Sequence, residues 1–134
     1  MTLDYQTGLA LATLWQEARG EDQGARTAVA WVIRNRMTQF YDSDGTVAGT
    51  VLKRWQFSGW MSATIARQAL RAVGVGGPLI DELGQAWHDA GGGPDPTRGA
   101  VLYYSPATMR GGPPRWAARA PYLTTIGPFR FYGG

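Results

Sequence analysis

Two residue types that often carry chemistry are absent or nearly so, and that narrows the choice. The chain has no cysteine, which excludes a thiol nucleophile, a thiolate zinc site and a disulfide scaffold together. Its single histidine, His88, cannot complete a zinc site with the usual ligand sets, and no HExxH pair is present. A Ser-His-Asp triad would have to use the same His88, which falls mid-helix beside Trp87, and no nucleophile-elbow sequence occurs. His88 is therefore read as structural or exposed. A Walker A loop is missing, as is a GxGxxG after a strand, so nucleotide chemistry lacks support. Carboxylates remain. They are densest in Trp15-Gln16-Glu17-Ala18-Arg19-Gly20-Glu21-Asp22.

Glu17 stands near the C-terminus of an otherwise apolar helix, next to Trp15 and ahead of a glycine break. The negative end of the helix dipole and partial desolvation both disfavour its charged form and raise its pKa. A general acid needs that shift to stay protonated near neutrality. Spacing alone favours a plainer reading, an exposed helix-end carboxylate paired with a nearby arginine.

The elements that would position these residues can be read from periodicity and punctuation. Leu9, Leu11, Ala12, Leu14, Trp15 and Ala18 recur at helical spacing, with Gly20 where a C-terminal cap would fall. Asp22 caps a second helix with Ala25, Ala28, Val29, Val32 and Ile33 on its apolar face, closed by Asn35-Arg36-Met37. Residues 41–50 read as a surface turn, and Val51 to Trp60 as a short irregular segment. Ser62 starts a third helix with Ile65, Ala69, Leu70 and Val73 inward, stopped by Gly74, Gly76, Gly77 and Pro78. A fourth runs from Leu79 to Ala90 with Leu83, Ala86 and Trp87 inward. The run Gly91-Gly92-Gly93-Pro94-Asp95-Pro96 holds no regular element. Beyond it, Val101 to Tyr104 and Phe129 to Tyr132 read as short strands separated by a loop rich in Pro, Gly and Arg. The expected architecture is one α+β domain over residues 1–134, with two lobes, the glycine run as hinge and a binding cleft between them.

At 134 residues with 44% apolar content the chain can bury a core of its own. It carries 13 basic and 10 acidic residues, and all the basic ones but Lys53 are arginine. Five arginines (Arg98, Arg110, Arg115, Arg119, Arg130) follow Asp95 without an acid. That half fits a polyanion such as cell wall, nucleic acid or lipid headgroups, or simply a solvated basic surface. The early apolar run, Leu9 to Trp15, is too short to span a bilayer and lacks a basic flank and a cleavage site. The expectation is a soluble protein made in the bacterial cytoplasm, with no stable membrane insertion.

Five blocks, in order, give the chain a wider resemblance. They are Leu14-Trp15-Gln16-Glu17-Ala18-Arg19-Gly20-Glu21; Val29-Ala30-Trp31-Val32-Ile33-Arg34-Asn35-Arg36; Gln56-Phe57-Ser58-Gly59-Trp60; Asp95-Pro96-Thr97-Arg98-Gly99-Ala100 with Tyr103-Tyr104; and Ile126-Gly127 with Phe131-Tyr132. In these the chain resembles the cell wall hydrolase family typified by spore cortex-lytic enzymes. The resemblance spans residues 14 to 132. It implies a fold related to the catalytic domains of lytic transglycosylases and goose-type lysozymes, peptidoglycan as partner, and Glu17 as catalytic acid. The lack of a visible export segment suggests a phage endolysin that reaches the wall after release through a holin, with a host protein exported by another route as the alternative; a monomer is expected. One departure stands out. The family often has histidine two residues before the final Phe-Tyr pair, and here Phe129 holds that place.

Around Glu17 the expected substrate-binding residues are Glu21, Asn35, Gln56, Ser58, Trp60, Tyr103, Tyr104 and Trp116. Glu21 could orient Arg19 or the next helix instead, and Asn35 could only cap its helix. Phe57 is expected in the core. Of Tyr103 and Tyr104, which alternate along a strand, one should face the cleft and the other should pack. Trp116 is the candidate exposed aromatic. Glycoside hydrolysis normally needs two carboxylates, whereas a lytic transglycosylase manages with one. Because Asp95 lies in a glycine-proline loop, the expected reaction is cleavage between N-acetylmuramic acid and N-acetylglucosamine with a 1,6-anhydro product, without metal or cofactor. The alternatives are a two-carboxylate muramidase and a non-enzymatic basic module binding wall or nucleic acid. No recognised nucleic-acid motif supports the latter.

Overall fold

A computed structural model describes residues 4–54 and 56–134; Trp55, inside the segment read as irregular, lies outside them. The elements are α1 (Tyr5–Ala18), α2 (Gln23–Gln39), α3 (Val47–Val51), α4 (Ala63–Val75), α5 (Pro78–Asp89), β1 (Leu102–Tyr104), β2 (Tyr122–Ile126) and β3 (Phe129–Tyr132). Short 3₁₀ turns occupy Ser58–Met61, Pro106–Thr108 and Arg115–Ala118. The result is a mostly helical α+β fold with a small antiparallel sheet near the C-terminus.

Helix α1 sits at the centre. Leu9 through Leu14 are buried without interruption, and α1 touches each of the other four helices. A helix that is apolar all round has to be enclosed, which is what the density of Leu and Ala here dictates. Asp4 starts it by accepting from Thr7 N at 2.7 Å. It ends at Arg19 in right-handed geometry, so Gly20 is not the left-handed cap expected of it. Asp22 caps α2 as expected, accepting from Ala25 N at 2.9 Å. Phe40 closes α2 in the left-handed region.

Three elements depart from expectation. Helix α3 starts within the supposed surface turn and ends at the first residue of the segment read as irregular: Thr46 Oγ1 accepts from Gly49 N at 2.9 Å, and Val47, Thr50 and Val51 are buried. Five residues are too few for helical periodicity to show. In α4 only Ala69 is buried, while Ile65 and Leu70 are 40% and 47% exposed, so this helix covers α1 with small residues. Strand β2 lies within the supposed loop.

The sheet order is β1-β3-β2, all antiparallel, with Tyr103 opposite Phe131 and Tyr104 opposite Arg130. β2 and β3 are joined by Gly127-Pro128, and Gly127 takes φ +56°, the conformation that the first position of a tight hairpin turn requires. Phe129 and Phe131 enter the same hydrophobic core as α1, α2 and α5. The sheet is therefore fixed against the helices by the core.

Candidate active site

Glu17 occupies the last turn of the buried central helix, and its surroundings follow from that position. The residue is partly buried, and its carboxyl group is largely desolvated. Burial raises its pKa above the ordinary 4.5, against two weaker opposing effects: a hydrogen bond from Tyr103 and the positive charge of Arg36. The Tyr103 hydroxyl donates to Glu17 Oε1. Burial and the neighbouring carboxylate push the phenol well above its usual range, so it keeps its proton and remains a donor.

Strand alternation explains why Tyr103 is the residue that reaches Glu17. It faces inward, edge-on to Phe129 with ring centroids 5.2 Å apart and stacked on Phe131 at 5.8 Å. Phe129, which stands where the family often has histidine, is thus an apolar wall behind the phenol.

Arg36 is the second neighbour whose charge acts on Glu17, and its placement was not read from the sequence. It is buried: Nε donates to Val101 O at 2.6 Å and Nη1 to Gln56 Oε1 at 2.7 Å. The guanidinium lies 5.0 Å from the Phe57 ring centre, and desolvation lowers its pKa from the usual value. A basic residue in the closing turn of α2 reads as a cap. Only the strand end at Val101 shows that it points inward. Arg26 was missed likewise. It donates to Ala18 O at 3.3 Å and Arg19 O at 2.6 Å, satisfying the carbonyl end of α1, and pairs with Glu82 at 2.7 Å.

The remaining expected site residues divide. Asn35 does not present its amide to a cleft: it is buried, and Nδ2 donates to Asp95 Oδ2 at 2.8 Å and Ala100 O at 3.0 Å. Asp95 in turn accepts from Thr97 N and Gly99 N, so Asn35 pins the loop that leads into β1. Gln56 is spent on Arg36 and, at 3.4 Å, on Asp42. Trp60 donates its indole N–H to Thr13 Oγ1 at 3.0 Å and packs on the core, where Phe57 is also buried. Ser58 is exposed. Gly59 receives the Gln16 side chain: a Cβ there would meet Oε1 at 2.0 Å.

Glu21 does not orient Arg19, which instead stacks over Trp15 at 3.9 Å and donates to Trp15 O. The Glu21 carboxylate makes no hydrogen bond or ion pair among the described residues. Tyr104 and Trp116 lie together on the other face of the sheet, their ring centres 5.9 Å apart, and do not join the Glu17 group. The candidate site is thus Glu17, Tyr103 and Arg36, backed by Phe57 and Phe129. It holds a carboxylic acid between a desolvating wall and two groups that favour its anion.

The sequence profile of the cell wall hydrolase family matches residues 20–132, and the chain belongs to that family. Two solved structures are similar to it. One is the catalytic domain of the germination-specific lytic transglycosylase SleB from Bacillus anthracis, 25% identical, with a TM-score of 0.75, covering 98% of this chain and 96% of that one. The other is the catalytic domain of the Bacillus cereus SleB protein, 27% identical, with a TM-score of 0.73, covering 95% and 88%. No curated protein matches. The fold is thus that of SleB catalytic domains, and the protein is an enzyme acting on peptidoglycan. Since the family match begins after Glu17, the case for that residue rests on the geometry around it.

Proposed function

We propose that the protein cleaves the glycan strand between N-acetylmuramic acid and N-acetylglucosamine as a lytic transglycosylase, with Glu17 as acid and then base. The observation that carries this is the balanced setting of Glu17: its carboxyl group sits buried at the end of α1, which raises its pKa, while the Tyr103 hydroxyl bonded to it and the charge of Arg36 favour the anion. In the first step the Glu17 proton passes to the bridging oxygen, the muramic C1–O bond breaks, and an oxocarbenium-like sugar forms beside the carboxylate. Tyr103 and Arg36 stabilise that carboxylate while it lasts. It then takes the proton from the muramic 6-hydroxyl, O6 bonds to C1, and the acid is regenerated. The product is a 1,6-anhydro sugar and no water is consumed. The likeness of this fold to a germination-specific lytic transglycosylase supports the same reading.

A second reading has one observation in its favour. The unpaired Glu21 carboxylate is available as a second group, which would make the enzyme a two-carboxylate hydrolase. Mass spectrometry of the muropeptides released from purified sacculi separates the two, since an anhydro end is one water lighter than a reducing end. Anhydro ends are expected. Reducing ends alone, with Glu21→Gln as inactive as Glu17→Gln, would overturn transglycosylation.

A further inference from the structure

The sheet has a second face that the Glu17 site does not use. Tyr104 stacks on Tyr132 there at 5.9 Å, and Trp116 stands edge-on to Tyr132 at 5.1 Å. Arg130 lies over Tyr122 at 4.5 Å and donates to the Tyr132 hydroxyl at 3.2 Å. These contacts fix an aromatic floor on the side away from Tyr103.

Beside that floor is an open cavity of about 520 Å³ lined by Arg115, Trp116, Arg119, Ala120 and Gly134. Arg115 and Arg119 are exposed, and their side chains make no hydrogen bond or ion pair among the described residues. From Pro96 to Gly134 the sequence has no acidic side chain to balance them. Arg98 and Arg110 are unpaired in the same sense. Surfaces usually intersperse both signs of charge, and a single-signed patch around a concavity attracts an anion. The guanidinium fork fits a carboxylate in two-point contact, and the Trp116 ring offers apolar area beside it.

We infer that this cavity is a second wall-binding site, in which Arg115 and Arg119 take the carboxylates of peptidoglycan stem peptides. The inference rests on the reading that peptidoglycan is the substrate. Because Trp116 packs on the sheet face away from Tyr103, the cavity it lines would hold a peptide to one side of the sugars being cut. It thereby keeps the enzyme on the wall between cleavages.

The test uses the Glu17→Gln protein, expected to hold wall without cutting it, and the same protein carrying Arg115→Ala and Arg119→Ala. Both arginines are exposed and unpaired, so the added changes should leave the melting temperature unaltered. Co-sedimentation with purified sacculi at low salt should show affinity reduced by about tenfold or more. Glycan strands stripped of stem peptides by an amidase, their freed lactyl carboxylates then converted to amides, should bind both proteins alike. Equal sedimentation of the two proteins with intact sacculi would overturn the site. An equal loss on stripped strands would overturn the peptide carboxylate as its ligand, and so would unchanged sacculus binding with lost retention on double-stranded DNA. Solubilisation of sacculi by the unaltered chain reports separately on the proposed function. Lysis together with undiminished binding by the arginine variant therefore removes the site and leaves the enzyme.

Discussion

Replacing Tyr103 by phenylalanine removes one oxygen and keeps the ring on Phe129 and Phe131. The bond lost is the one the phenol donates to Glu17. A hydrogen bond to a charged group contributes roughly 1.5–3 kcal/mol, and about 1.4 kcal/mol is a tenfold change in a protonation equilibrium. The bond favours the anion, so its loss biases Glu17 further toward the protonated form by at least about tenfold. The sign then fixes the assay. In the proposed mechanism protonated Glu17 is the active acid, so activity should fall as pH rises through its pKa, and that alkaline limb should move upward in Tyr103→Phe by about one pH unit or more. Sacculus turbidity measured across pH reads it directly. If the folded variant keeps the wild-type limb, or moves it to lower pH, the limb belongs to another group and Tyr103 does not tune the acid.

Glu17→Gln should melt higher than the wild type at neutral pH. Burial raises the folded carboxyl above the ordinary 4.5, so folding favours the protonated form, and stability is lost as pH rises through that region. The advantage of the variant should close below about pH 4.5, and a variant equal or weaker at neutrality would contradict the burial argument. Asn35→Ala leaves Ala100 O without the amide and Asp95 Oδ2 with Gly99 N as its remaining partner, at a cost of roughly 1–3 kcal/mol, or about 5–10 °C in melting temperature. A loss under about 2 °C by calorimetry would show that the amide does not hold the loop. Gly127→Val, at φ +56° and with Ala25 Cβ only 3.2 Å from any added Cβ, should destabilise the hairpin by about 1–3 kcal/mol in denaturant titration. An unchanged midpoint would show that the turn relaxes at no cost.

What the sequence made legible was local. The apolar density of residues 9–18 announced a buried helix, and that burial raises the Glu17 pKa. Asp22 and Ser62 announced helix starts through their capping chemistry, and the structure has them as caps. The partners of Glu17 were harder to see, because they are set by chain crossings. Alternation offered Tyr103 and Tyr104 equally, and only the pairing of β1 with β3 turns Tyr103 inward. Asn35 and Arg36 looked like the end of a helix. Their bonds to residues 95–101 span sixty or more positions, which no local pattern encodes. Strand β2 was hidden for a related reason: its neighbour is β3, and the Pro-Gly-Arg composition before it drew the whole stretch into a loop.

The central claim is that Glu17 is the proton donor for strand cleavage, and solubilisation of purified sacculi by Glu17→Gln tests it most directly. The amide keeps the size of the side chain and can still accept from Tyr103, but has no acidic proton to give. The folded variant should lose roughly a hundredfold or more of the lytic rate while still sedimenting with sacculi. A folded Glu17→Gln protein that lyses sacculi within about tenfold of the wild-type rate would contradict the account.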